Sequence, residues 1–136
     1  MTTDFSYRTG DGFSIERHIS AEDVKKFAEV VGDLNPIHLD SDFAERSFFK
    51  KRLVHGAFLG GLISKVLGMD YPGQGTIYIS QNSLFKRPVY VDTTVKVEVK
   101  VAEVITAKRR LILDTNILNE NNEVCLTGSA VVWIPE

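Results

Sequence analysis

A chain of 136 residues is about one domain long, enough to close a single hydrophobic core around a small pocket and too short for two full domains. Residues 1–136 are therefore expected to form a single domain, and 43% apolar with 25% charged residues is the make-up of an ordinary globular protein. A net charge of −2 excludes a general attraction to nucleic acid or to an anionic membrane surface, and one cysteine, Cys125, excludes an internal disulfide.

The polar start from Met1 to Gly12 has no apolar run of the secretory kind, so a reducing cytoplasm is the expected compartment. Phe13 to Ile19 reads as a first strand. Ser20 with Asp23 three positions on has the form of a capping box, which starts a helix through Val31 with Val24, Phe27, Ala28 and Val31 on one face. Gly32 stands where a left-handed residue commonly ends a helix. The next eight residues, Asp33-Leu34-Asn35-Pro36-Ile37-His38-Leu39-Asp40, then form a polar loop leaving that helix.

Asp42 to Phe48 reads as a short amphipathic helix, and Lys50-Lys51-Arg52 as a basic connector. Ala57 to Leu67 is the longest apolar stretch; interrupted by Lys65, it falls far short of the roughly 20 residues that span a bilayer. A buried helix closed by Gly68 is expected there. Gly60-Gly61 inside it cost helical propensity of about 1 kcal/mol each relative to alanine, which suits a helix closely wrapped by other backbone.

After Gly75 the character changes. Thr76 to Phe85, Thr94 to Val104, Arg110 to Leu118 and Val124 to Ile134 are rich in Val, Ile, Thr and aromatics, with period-two alternation plainest in Val95 to Val101. The breaks at Pro88, Thr106 to Lys108 and Asn119 to Asn122 are short enough for antiparallel neighbours. Strand, helix, loop, short helix, apolar helix and four long strands is the order of an α+β fold, with one antiparallel sheet of about five strands wrapped around one buried helix. That is the hot-dog arrangement.

Several features carry chemistry, each beside a plainer reading. Pro36 forces a turn after Asn35, so the carboxylate of Asp33 and the imidazole of His38 can converge on one water, as general acid–base equipment does. Alternatively Asp33 and Asn35 bond the local backbone, and His38 is an ordinary satisfied histidine. Asp40, Asp42 and Glu45 lack a metal-ligand spacing and suit helix starts. Val54-His55-Gly56 precedes the apolar helix, where free N–H groups could meet a developing oxyanion, although such a glycine often only shapes a turn. Ser64 either bonds the carbonyl one turn back or looks toward a site at the helix start. The basic groups Lys50-Lys51-Arg52, Lys86-Arg87 and Lys108-Arg109-Arg110 are scattered and lack the aromatic interleaving of a nucleic-acid surface. Cys125 reads as core.

Taken together, Asp33-x-Asn35-Pro36-x-His38-x-Asp40, Val54-His55-Gly56, an apolar helix bearing Ser64, Gly75-x-Ile77-Tyr78 and Phe85-Lys86-x-Pro88-Val89 resemble the MaoC-like hydratases, and among them the short (R)-specific enoyl-CoA hydratases. The resemblance runs from about Ser20 to Ile134; Val91-Asp92-Thr93-Thr94 departs from it by lacking a turn glycine. It implies a hot-dog dimer with sheets joined edge to edge, acting on an acyl-CoA or acyl-carrier-protein thioester without a separate cofactor or metal. It implies catalysis by Asp33 and His38, with Asn35 and Ser64 as supporting polar groups. To this we add the Gly56 N–H as oxyanion donor, Leu67 and Val131 at the far end of an acyl pocket, and a CoA arm leaving toward a basic cluster. The expected reaction is reversible (R)-specific hydration of a trans-2-enoyl-CoA. The alternatives are a 3-hydroxyacyl-carrier-protein dehydratase and a non-catalytic acyl-CoA-binding hot-dog module.

Overall fold

The computed structural model describes residues 4–136. Five strands form one antiparallel sheet: β1 (Gly12–Ile19), β2 (Ile77–Phe85), β3 (Thr93–Ile105), β4 (Arg110–Leu118) and β5 (Val124–Trp133), in the order β1-β3-β4-β5-β2. The hairpins β3–β4 and β4–β5 are sequence neighbours, as their short breaks suggest. The break at Pro88 joins no neighbours, because β2 pairs with β5 at one edge while β3 pairs with β1 toward the other.

Alternation explains the core. Val95, Val97, Val99 and Val101 of β3 are buried while Lys96 and Glu98 between them face outward, so one face of a strand with near-perfect period two is dedicated to the interior. Leu111, Leu113 and Ile117 of β4 and Ala130 and Val132 of β5 extend the same face. An apolar helix, α4 (Gly56–Lys65), supplies the opposing layer with Phe58, Leu59, Leu62 and Ile63 buried in the same cluster. Each such side chain contributes roughly 1.5–3 kcal/mol of transfer free energy. No helix among the described residues is long and apolar enough to cross a membrane.

Helix α1 (Ala21–Val31) begins at Ser20 with a full capping box, Asp23 N–H donating to Ser20 Oγ and Ser20 N–H to Asp23 Oδ2, and ends at Gly32 with φ +82°. Arg17 and the Ser20 contacts hold the Asp23 carboxyl below its ordinary range, the Ser20 backbone hydrogen bond foremost. Val24 and Ala28 are buried as the periodicity requires, but Val31 is 55% exposed because the last turn runs past the edge of the core.

Three further expectations are corrected. The short helix is only α3 (Ser41–Glu45), capped by Asp40, and Phe48 beyond it is 89% exposed. Gly68 does not close the apolar helix: α4 continues through a π-helical turn, Val66–Asp70, because glycine with ordinary negative φ interrupts nothing. Gly60 and Gly61 are not wrapped by this chain, since a Cβ built on either meets nothing within 4 Å. The glycine that close backbone approach does require is Gly128 in β5, where a Cβ would lie 1.8 Å from the Asn82 carbonyl oxygen of β2.

Candidate active site

The acidic-imidazole stretch is more structured than a loop. Pro36–Leu39 form a single helical turn, α2, with Pro36 in its first turn and Asn35 as its cap, the Ile37 N–H donating to Asn35 Oδ1 at 3.2 Å. Asn35 N–H in turn donates to Asp33 Oδ1 at 3.2 Å, which aims the carboxylate back over the turn. Asn35 thus shapes this segment through both its side chain and its backbone.

His38, on α2, is held by its other nitrogen. Its Nδ1–H donates to the Leu53 carbonyl at 2.6 Å, so in the neutral ring Nε2 carries the lone pair. The Leu53 N–H donates back to the Ile37 carbonyl at 3.0 Å, and Val54 N–H to the Val89 carbonyl at 2.8 Å, so residues 53 and 54 run between α2 and the chain before β3. Burial pushes the His38 imidazole below its ordinary pKa and His55 adds to this, while the Leu53 carbonyl and Asp33 oppose it.

Asp33, His38 and His55 each place a side-chain ligand atom within 4.8 Å of the others. The two rings stack with centroids 3.7 Å apart and 25° between planes, so their in-plane lone pairs lie in two nearly parallel planes, a poor arrangement for converging on one ion. Such a geometry suits a water held between the carboxylate and one imidazole better than a single ion bound by all three.

Gly56 opens α4 beside this pair. The first helical donors with acceptors are Phe58 N–H and Leu59 N–H, both to the His55 carbonyl at 3.1 and 3.3 Å, and no side chain caps the end. The Gly56 N–H has no acceptor among the described residues. A Cβ here would lie 2.9 Å from the Phe85 ring, so glycine keeps the approach open. Gly56, His38, Leu59 and Phe85 border one cleft of about 480 Å³, with Lys86 and Arg87 at its rim.

The remaining expected residues lie elsewhere. Ser64 is on the exposed face of α4, and among the described residues no hydrogen bond joins it to Asp33 or His38. Leu67 is buried in the core cluster. Val131 falls on the opposite face of β5 from Ala130 and Val132, paired with half-buried Ile112 of β4, so Val132 is the valine that faces the helix. Sequence reasoning took the glycine of Val54-His55-Gly56 and passed over His55, which is 2% exposed and directly beneath His38. The available signal was a polar aromatic wedged between Val54 and an apolar helix.

Comparison with known proteins agrees with this geometry. Residues 6–122 match the MaoC-like domain. A 3-hydroxybutyryl-CoA dehydratase of Methylorubrum extorquens is 45% identical over 90% of this chain and 77% of its own length. An (R)-specific enoyl-CoA hydratase of Aeromonas caviae is 37% identical over 96% of this chain and 97% of its own. The solved structure of the A. caviae (R)-hydratase involved in PHA biosynthesis superposes with a TM-score of 0.93 at 37% identity, covering 96% of this chain and 98% of that one. With a sheet wrapped on a buried helix and with relatives aligned along nearly its whole length, the chain belongs to the MaoC-like domain family.

Proposed function

We propose that this protein is a hydro-lyase that catalyses reversible (R)-specific hydration of trans-2-enoyl-CoA, with Asp33 and His38 as its acid–base pair. The observation that carries the reading is the Asp33 carboxylate and the His38 ring meeting beside the unpaired N–H of Gly56, in a chain 45% identical to a 3-hydroxybutyryl-CoA dehydratase.

The chemistry follows from the donors and acceptors. With Nδ1–H committed to Leu53, His38 Nε2 accepts one proton of a water and Asp33 accepts the other, so the water's oxygen lone pair is free to attack. The oxygen bonds to C3, an O–H bond breaks toward Asp33, and the C2–C3 π electrons move into an enolate on the thioester oxygen. The Gly56 N–H, with the positive end of the α4 dipole behind it, meets that charge. The enolate collapses as the same pair returns a proton to C2.

The substrate sits in accord with the apolar cleft. The acyl chain runs along α4 past Leu59, which lines the cleft, and the CoA phosphates leave past Lys86 and Arg87, the basic pair bordering the same opening. A second copy pairs along β2, an unpaired edge that exposes Ile77, Tyr78, Ile79, Leu84 and Phe85. It also covers the exposed face of α4 that carries Gly61 and Ser64. The free, buried Cys125 is in keeping with a reducing cytoplasm.

Loss of enoyl absorbance from crotonyl-CoA, followed by chiral analysis of the 3-hydroxybutyryl product, tests the reading. Formation of the (R)-product is expected. An (S)-product, or no turnover on either CoA or carrier-protein thioester, sinks it.

A further inference from the structure

His55 has none of the roles assigned above, yet its side chain touches both halves of the acid–base pair. Its Nε2–H donates to the Asp33 carbonyl at 3.1 Å, and its ring stacks on His38 at 3.7 Å. Phe27 of α1 packs against it at 5.0 Å, with Phe58 of α4 behind at 5.3 Å, so the ring is enclosed. Its backbone is the cap of α4, one peptide from the Gly56 N–H.

Capping does not account for the imidazole. His55 makes no side-chain cap bond, and Ser, Asp or Asn serve that purpose better. Nor does economy of burial: Nδ1 is buried with no hydrogen-bond partner, which costs stability. What the ring does achieve is a connection between residues 33, 38 and 56, which come from three separate elements.

We propose that His55 is a positioning residue that joins the Asp33 backbone, the His38 ring and the Gly56 N–H into one rigid unit. The inference rests on the assignment of Asp33 and His38 as the acid–base pair. The physical need comes from the substrate. C3 and the thioester oxygen belong to one conjugated planar unit, so their separation is constant, and the water and the oxyanion donor must keep a matching separation. A misplacement of about 1 Å costs on the order of 100-fold in rate.

The groups facing His38 are Asp33, ahead of α2, and His55, at the start of α4; Lys86 and Arg87 border the same cleft, and Asp40 is turned away to cap α3. Removing the stacked ring hydrates His38 and relieves the repulsion from His55. Both effects make His38 easier to protonate, so the acidic limb of kcat/KM moves to higher pH.

Two variants of the full chain separate the contacts. H55F keeps an aromatic stack and loses the donor; H55Q keeps an N–H near Asp33 and loses the stack. Each should lower kcat on crotonyl-CoA on the order of tenfold, and H55A up to about 100-fold, with KM changed less than kcat. H55Q and H55A should shift the acidic limb upward, and H55F least. If H55A fails to fold, the other two decide. Wild-type kcat and an unmoved limb in H55F and H55Q overturn the proposal, as does a kcat loss that merely tracks loss of folded protein with the limb unmoved. D33N and H38Q run in the same assay keep the two ideas apart. If those retain turnover the pair assignment fails; if they lose it while H55F and H55Q do not, the positioning role alone fails.

Discussion

Two short segments meet at one cleft and differ in burial. Residues 33–40 are largely exposed and carry acids, an imidazole and an Asn-Pro turn; residues 53–56 are buried or half-buried and contribute a histidine, a carbonyl and a bare N–H. Exposure lets the first segment keep ionisable side chains at little cost and, in the proposed mechanism, take a proton from a water. Burial lets the second act through fixed hydrogen bonds: Leu53 on His38, His55 on Asp33, Gly56 toward the cleft. The proposed reacting groups sit where water reaches, and the bonds that hold them come from the more buried segment.

The largest expected effect falls on the exposed segment. Asp33→Asn and His38→Gln should each lower kcat by about 100- to 10,000-fold; the first keeps the thermal transition, and the second, which gives up the stack on His55 and the bond to Leu53, lowers Tm by a few degrees without loss of fold. Near-normal turnover in either would break the division of labour. On the buried segment, Gly56→Ala drives a methyl into the Phe85 ring, whose exposed edge can yield. The fold should survive while kcat/KM drops on the order of 10- to 100-fold, because the opening beside the N–H is filled. A collapsed Tm instead would mean Gly56 serves packing first.

A pH profile sharpens the contrast next. Burial lowers the His38 pKa, so the neutral ring with its free Nε2 persists to more acidic pH. In the proposed mechanism the reaction uses that neutral form, so kcat/KM should hold down through the ordinary imidazole value of about 6.5 and fall only below it. A limb lying above that value contradicts the environment described. The smallest effect is expected from Asn35→Ala, which removes the α2 cap: about 1 kcal/mol of stability, a few degrees in Tm, and a kcat loss under about tenfold.

How much of this was legible depends on the range of the interaction responsible. The Ser20–Asp23 capping box, the left-handed Gly32 and the alternating valines of β3 all act within a few residues, and each was read where it stands. The Asn-Pro turn between Asp33 and His38 was legible for the same reason, because Pro36 turns the chain locally. The π-helical continuation past Gly68, the exposure of Val31 and Phe48, and the outward face of Val131 follow from what lies across the fold. So does the separation of β2 from β3, since a short break limits how far two strands can part without dictating which neighbour each takes.

By itself, then, the sequence determined the class of fold and set Asp33 and His38 on either side of one Asn-Pro turn, because side-chain period and turn chemistry are properties of neighbouring residues. Only the tertiary structure decided that His55 lies under His38 with its Nε2–H on the Asp33 carbonyl, and that Gly56 and His38 border the same cleft. Those contacts span up to 22 residues of chain and arise where α4, α2 and the segment before β3 pack together, a placement driven by burial of apolar surface far from the chemistry it orients.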